Sequence, residues 1–437
     1  MQPTVERLHA LDAVRASALL AGVLLHGIGP WVEAPTELTF SETPSNTAAA
    51  ISWAIHIFRM AVFFLIAGYF GRLATERRGT KGFIKDRAKR IALPLVVGIP
   101  LIVPLASVGW ALGALATGMS FTELRDLAQS ALAAPHSPSP HYGAPVLQVL
   151  GHLWFLYYLL MFYAVALTAR AAARALDRDG KALRGIDRVL HFLMGTGLAA
   201  IVLALPVAAW YVFLWPEWPG WTGLPSPGSL VVSVPAFLAF GLFFATGWLL
   251  NRQTDLLLRL RERWVPYAIV GIALAVAAFV IAGPTPHWSA YLQGWELRIY
   301  AVTYITAAWC LSFALIGMAL RFLSTASPVR RYIADSSYWM YLMHLVPIAF
   351  FVALMHPLDW HWSVKYGITV IATVAVLLLT YEAFVRYTFI GAVLNGRRVR
   401  PKKAALQGAD DVTRQESESQ FSRPERDVLP VRRSRID

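Results

Sequence analysis

The sequence has few charged residues and a single cysteine. The low charge argues against a soluble domain, and the single cysteine excludes a disulfide-stabilised fold. Only 15% of its 437 residues are Asp, Glu, Lys or Arg, whereas soluble domains usually carry about a quarter. Cys310 is the single cysteine, so an intramolecular disulfide is excluded, and its apolar surroundings indicate a small buried hydrophobe. The sequence also lacks a nucleotide-binding glycine loop, a cysteine cluster and an HExxH motif, so it predicts neither a P-loop nor a metal site.

Apolar runs of about twenty residues are abundant instead, and 57% of the chain is hydrophobic. Each run is long enough to cross about 30 Å of hydrocarbon at about 1.5 Å per residue. The sequence therefore predicts an all-α fold, a polytopic membrane helix bundle of about ten transmembrane helices. The predicted spans are residues 9–29, 48–71, 91–115, 147–169, 190–214, 229–250, 264–282, 298–320, 337–356 and 366–390. Residues 1–396 form the predicted transmembrane domain, and the polar residues 397–437 are interpreted as a disordered cytoplasmic tail.

Lys and Arg are distributed unevenly among the predicted loops, and this bias predicts the orientation. Residues 72–90, 170–188, 252–263 and 321–331 are basic, whereas residues 27–47, 215–228, 283–297 and 357–364 contain no Lys or Arg. Because positive loops remain in the cytoplasm, both termini are predicted to be cytoplasmic. The net charge of +13 is concentrated in loops between spans, so the predicted partner is membrane lipid and not nucleic acid.

Ionisable side chains inside predicted spans are costly, so each is a candidate for function. In the first span, Arg15 and His26 are eleven residues apart. This spacing places both on one helix face, about 16 Å apart in depth. Such a pair would line a route across much of the membrane. The alternative is a snorkelling arginine and a structural, hydrogen-bonded histidine.

Later spans carry further candidates for a pocket. These are His56 and Arg59 in the second span, Trp154 and Tyr158 in the fourth, Tyr341 and His344 in the ninth, and Glu382 in the tenth. The two members of the first pair are one helical turn apart, and so are Tyr341 and His344. Glu382 lies four residues before Arg386, so a simple ion pair is the alternative there.

The loops predicted outside the cytoplasm are rich in tryptophan, as in Trp215, Trp218 and Trp221. An aromatic belt at the membrane interface is the favoured interpretation. Stacking of sugar rings on the indole faces is the functional alternative.

Several of these residues together resemble the acyltransferase family 3 of integral membrane proteins, over roughly residues 8–395. The matching motifs are Arg15 with His26, Arg87 with Arg90, Phe63 to Phe70, Tyr341 to His344, and Glu382. Ala67 replaces the usual serine of the third motif, so no hydroxyl role is carried over. Within the family, the segments 56–70 and 151–158 look most like a glucan-biosynthesis subgroup, which is associated with succinylation of osmoregulated periplasmic glucans.

The resemblance implies an O-acyltransferase in the bacterial inner membrane. It would move a succinyl or acetyl group from cytoplasmic acyl-CoA, a substrate and not a bound cofactor, to a hydroxyl of an extracytoplasmic glycan. His26 is the candidate base, and Arg15 would orient the donor or stabilise developing charge. Arg87 and Arg90 would bind the donor. The acyl or acceptor pocket would contain Arg59, His56, Trp154, Tyr158, Tyr341, His344 and Glu382. The alternative function is a glycan or lipid transporter, or flippase, that uses the same charges as a permeation path.

Overall fold

A computed structural model describes residues 5–32, 43–116, 118–133, 149–215 and 217–396. Over these residues the regular structure is entirely helical, which confirms the predicted all-α membrane bundle. The predicted tail, residues 397–437, lies outside the described residues.

Fifteen α-helices follow one another along the described residues. In the first half they are α1 (Val5–Ile28), α2 (Asn46–Arg87), α3 (Leu93–Ala116), α4 (Phe121–Ala133), α5 (Trp154–Leu176), α6 (Lys181–Thr196) and α7 (Ala199–Phe213). In the second half they are α8 (Val234–Leu250), α9 (Leu256–Glu262), α10 (Trp264–Ala282), α11 (Gly294–Phe322), α12 (Pro328–Met343), α13 (Leu345–Met355), α14 (Trp362–Thr380) and α15 (Phe389–Leu394).

Six helical segments are long and apolar enough to cross a membrane, or up to eight if each bent helix pair is one span. The predicted count of about ten is higher for two reasons. Asn46–Ala116 is one helical stretch of 71 residues that contains two predicted spans, and α8 has only 17 residues. The ten-span count and the cytoplasmic termini stay predictions.

Two predicted spans are not single straight helices. Residues 190–214 divide between α6 and α7, which meet at 112°, because Gly197 adopts a left-handed conformation with φ of 84°. Residues 337–356 divide between α12 and α13, which meet at 67°. Pro347, in the first turn of α13, lacks the N–H that would continue the hydrogen bonding of α12. His344 therefore lies at a break between two helices.

Glycines bring α2 and α8 into backbone contact. A Cβ atom on Gly247 would lie 1.7 Å from the carbonyl oxygen of Leu65, and one on Gly68 would lie 2.0 Å from that of Phe244. Small residues at such crossings are typical of membrane helices, where close packing replaces the hydrophobic driving force. The contact fixes α2, the helix that carries Arg59, against its neighbour.

We expect Gly247→Ala to lower the free energy of unfolding by about 1–3 kcal/mol, because the added methyl group forces the two helices apart. The control is Gly367→Ala in α14, where no atom lies within 4 Å of the added Cβ. That exchange should be neutral or stabilise the helix by up to about 1 kcal/mol. Thermal unfolding of the two purified variants in detergent provides the measurement, and equal melting temperatures would contradict the expectation.

Candidate active site

The first cavity lies at the predicted cytoplasmic end of the bundle, and we call it the inner cavity. Its volume is about 450 Å³, and residues of α1, α2, α5 and α12 line it. The cationic lining residues are Arg15, Arg77, Arg78, Arg87 and Arg90. The structure thus brings Arg15 together with the predicted donor-binding pair.

The Asp86 carboxylate, which was not among the predicted site residues, holds three of these arginines together. The Asp86 side chain is only 7% exposed and forms ion pairs with Arg87 at 2.8 Å, with Arg90 at 3.1 Å, and with Arg78. A buried carboxylate requires such partners, because its desolvation is otherwise unfavourable. Its sequence signal is weak: Asp86 is the one acidic residue between Lys81 and Arg90.

A π-helical turn, Ala88–Ala92, joins α2 to α3; it contains Arg90 and directly follows Arg87, the last residue of α2. The Tyr338 hydroxyl donates to the backbone oxygen of Arg90 at 2.6 Å, which ties α12 to the turn. The Arg87 guanidinium lies 5.5 Å from the centre of the Tyr163 ring on α5. Contacts from two other helices therefore fix both arginines before any ligand binds.

A second, narrow cavity of about 30 Å³ lies deeper in the bundle, and we call it the buried cavity. Its polar and aromatic lining residues include His26, Arg59, His152, Trp154, Tyr341 and His344. Leu19, Phe63, Phe155 and Tyr341 line both this cavity and the inner one. The two cavities are therefore adjacent and separated by only a few side chains.

Three histidine rings meet at the buried cavity. The His344 ring centre lies 5.1 Å from that of His26 and 5.1 Å from that of His152. The Nδ1 atom of His344 lies 2.7 Å from the backbone oxygen of Tyr341, and Nε2 of His152 lies 3.0 Å from that of Leu342. Carbonyl oxygens only accept, so these nitrogens are assigned the hydrogens. The neutral His344 ring then presents Nε2 as a proton acceptor, and this atom has no partner among the described residues.

Arg59 is a buried cation without a counter-charge among the described residues. Its residue exposure is 8%, none of their carboxylates lies within 4.0 Å of it, and Nε has no hydrogen-bond partner. Two acidic residues of other helical segments, Asp12 and Glu382, pair instead with Arg15 at 3.0 Å and with Arg386 at 2.9 Å. A buried unpaired guanidinium is unfavourable, so this arrangement favours binding of an anionic group in the cavity.

A third cavity of about 300 Å³ lies on the opposite side of His26, and we call it the outer cavity. His26 and His56 line it together with Trp53, Trp110, Trp221 and Trp288. His26 is the histidine common to the buried and outer cavities. The three cavities therefore form a series, with Tyr341 at the first junction and His26 at the second.

The three tryptophans of this loop are all buried, and one of them lines a cavity. Trp215 and Trp218 are buried at 2% and 0% exposure, and the Trp218 indole donates to the Gly223 oxygen at 2.8 Å. These two side chains hold the loop in place. Trp221 lines the outer cavity, and its indole donates to the Gly283 oxygen at 3.2 Å.

Two predicted pocket residues line none of the three cavities. The Tyr158 hydroxyl accepts from the backbone N–H of Ser233 at 2.8 Å and therefore joins α5 to the start of α8. Glu382 lies in a π-helical turn after α14, in its ion pair with Arg386. Helical spacing shows which residues share a face, but not which neighbour that face meets.

His152 lines the buried cavity, although the sequence did not predict it as a site residue. The Tyr341 hydroxyl donates to its backbone oxygen at 2.9 Å. The sequence feature that could have indicated His152 is its position inside an apolar run.

Among the described residues, no group of three or more His, Cys, Asp or Glu side chains is arranged to hold a metal ion.

Comparison with known proteins identifies the family. A family model described as an acyltransferase domain matches residues 8–382. The chain belongs to the acyltransferase family 3. Proteins called glucans biosynthesis protein C, from Salmonella paratyphi A and Salmonella agona, are each 24% identical to this acyltransferase over 397 residues, covering 90% of this chain and 95% of theirs. No solved structure matches.

The protein is therefore a multi-pass membrane acyltransferase. Most of the residues that carried the resemblance line the three cavities, from Arg15, Arg87 and Arg90 to His26 and His344.

If the inner cavity binds acyl-CoA, Arg87→Ala and Arg90→Ala should each weaken that binding by about 1.5–3 kcal/mol, through loss of charge-assisted bonds to phosphate. Equilibrium binding of a non-transferable acyl-CoA analogue to the purified protein provides the measurement. Arg321→Ala is the matched control, because Arg321 is an exposed arginine at the end of α11 and outside the three cavities. Unchanged affinity in both cavity variants would remove this arginine pair from the donor site.

Proposed function

We propose that the protein transfers an acyl group from cytoplasmic acyl-CoA to a hydroxyl group of an extracytoplasmic glycan, across the bacterial inner membrane. The observation that carries this proposal is the position of His26. Its ring lines the outer cavity and also the buried cavity, which adjoins the arginine-lined inner cavity. A donor and an acceptor that enter from opposite sides would therefore meet at His26.

The inner cavity has the charge that the donor requires. Coenzyme A carries several phosphate charges, and guanidinium groups bind phosphate with paired, charge-assisted hydrogen bonds. Arg87 and Arg90 would bind the phosphates, and Arg15 would orient the arm of the donor. The thioester would then extend past Phe63 and Phe155, whose side chains line both cavities.

The transfer itself requires removal of one proton. The acceptor hydroxyl gives its proton to His26 as its oxygen attacks the thioester carbonyl carbon, because a neutral imidazole is a suitable base near pH 7. An ester C–O bond forms, the C–S bond breaks, and coenzyme A leaves as a thiolate. Transfer of the proton to that sulfur gives the free thiol and returns His26 to its neutral form.

The outer cavity has the composition expected of a sugar site. Trp53, Trp221 and Trp288 line it together with His56, and a sugar ring can pack against such aromatic side chains. The relatives named for glucan biosynthesis favour a periplasmic glucan as the acceptor. The transporter alternative has less support, because the chain belongs to a family of acyltransferases.

Arg59 favours succinyl over acetyl as the group transferred. A succinyl group ends in a carboxylate, which needs a fixed cation at this depth, whereas an acetyl group is neutral. Arg59 lines the buried cavity and has no carboxylate partner among the described residues. A guanidinium can bind a carboxylate through two parallel hydrogen bonds.

We expect His26→Ala to abolish acyl transfer while the protein still accumulates in the membrane, because the hydroxyl would lose its base. The measurement is transfer of radiolabelled acyl groups from acyl-CoA to glucan in proteoliposomes, normalised to the amount of protein. His191→Ala on α6, where the side chain is 44% exposed, is the control. Full activity in His26→Ala together with loss in His344→Ala would assign the base to His344 instead.

Arg59→Gln should reduce succinyl transfer at least tenfold more than acetyl transfer, because glutamine keeps a polar side chain but loses the cation. Competition between succinyl-CoA and acetyl-CoA, in wild type and variant, measures this ratio directly. Equal loss with both donors in a folded variant would leave Arg59 without a role in choosing the acyl group.

A further inference from the structure

A large groove lies on the outside of the bundle, away from the three cavities. Residues of α5, α6 and α8 line it, and its volume of about 960 Å³ is within the usual range for ligand sites. None of its lining residues lines the inner, buried or outer cavity. The proposed acyl transfer therefore gives this groove no role.

The walls of the groove are apolar and face outward. Val165 on α5, Ile186 on α6 and Leu238 on α8 line it, with exposed fractions of 53%, 46% and 37%. Gly241 and Ala245 on α8 keep the groove open, since neither carries a large side chain. At membrane depth, hydrocarbon is the medium that covers such a surface.

The groove face of α5 changes from apolar to basic along the helix. Phe162, Ala166, Ala169 and Ala173 recur at helical spacing, and Arg170 and Arg174 continue the same face towards the predicted cytoplasmic side. The far end of the groove is therefore rimmed by guanidinium groups.

Some of these arginines already have carboxylate partners. Glu76 pairs with Arg72 at 3.0 Å and with Arg170 at 2.5 Å, and Asp187 pairs with Arg252 at 2.6 Å. In contrast, Arg174 and Arg178 form no ion pair with any carboxylate among the described residues. The rim thus has two cations available for an anion outside the chain.

Helix α6, next to this rim, has the character of a helix at the level of lipid headgroups. Lys181, Arg184 and Arg188 share one face, whereas the apolar Val189 is 59% exposed. Asp177 fixes the start of α6 by accepting from the backbone N–H of Leu183 at 2.9 Å. A basic amphipathic helix that bends sharply away from the next apolar helix is typical of the membrane interface.

We propose that this groove binds one anionic phospholipid of the leaflet on the basic side. The phosphate lies between Arg174 and Arg178, and an acyl chain lies along the apolar walls of α5 and α8. Charge complementarity at the rim selects an anionic over a zwitterionic lipid, because basic pockets at this level attract negatively charged headgroups.

The test is native mass spectrometry of the full-length protein in detergent, titrated with phosphatidylglycerol, cardiolipin or phosphatidylethanolamine. We expect one phosphatidylglycerol or cardiolipin to be retained under conditions that remove phosphatidylethanolamine. The double variant Arg174→Gln/Arg178→Gln should bind phosphatidylglycerol about 25-fold more weakly, since each interfacial arginine contributes roughly fivefold. Arg261→Gln, an exposed arginine on α9 outside the groove, should bind it as wild type does.

A second variant tests the groove independently of its charge. Ala169→Trp fills the space between α5 and α8 but keeps every arginine, and it should also reduce retention of phosphatidylglycerol. Equal retention of anionic and zwitterionic lipid, or wild-type binding in the double variant, would overturn the proposal. Wild-type binding in Ala169→Trp would overturn the assignment to this groove. The readout is lipid binding, so it is separate from the acyltransfer assay.

Discussion

The guanidinium of Arg59 is held inside a membrane bundle without a carboxylate partner among the described residues, and the structure around it accommodates that unfavourable charge. Gly22 on α1 allows the close approach, since a Cβ atom there would lie 3.0 Å from the Arg59 guanidinium. The backbone contact between α2 and α8 fixes the helix that carries the arginine. A neutralising carboxylate from the chain would stabilise the fold but remove the cation from any ligand.

The break between α12 and α13 serves the same site. Pro347 interrupts the hydrogen bonding of a continuous helix, and His344 lies at the break with its Nδ1 bonded to the preceding turn. Because that bond determines which nitrogen carries the hydrogen, the other nitrogen remains an acceptor in the buried cavity. In a straight helix over residues 337–356, His344 would not lie at a break between two helices.

Charge is organised differently at the two predicted faces of the bundle. At the inner cavity, the Asp86 carboxylate forms ion pairs with three arginines and fixes their geometry. Five arginines line that cavity, so positive charge remains in excess over Asp86 and the two lining carboxylates, Asp12 and Asp335. The outer cavity presents tryptophan and histidine and carries no Lys, Arg, Asp or Glu among its lining residues. This difference in charge distinguishes the face suited to phosphate from the face suited to a sugar ring.

The sequence by itself determined the all-helical membrane class and the family, because long apolar runs and short motifs are local features of the chain. It also identified Arg15, His26, Arg59 and His344 as costly groups within spans. Only the tertiary structure decided that Arg59 has no carboxylate partner among the described residues, that His152 lies beside His344, and that Glu382 and Tyr158 line none of the three cavities. The physical reason is that cavity lining depends on which helix faces meet, and those contacts join residues as far apart in the chain as Tyr341 and His152. Helical spacing determines on which face of a helix a residue lies, whereas packing between helices that are distant in the chain determines which residues that face contacts.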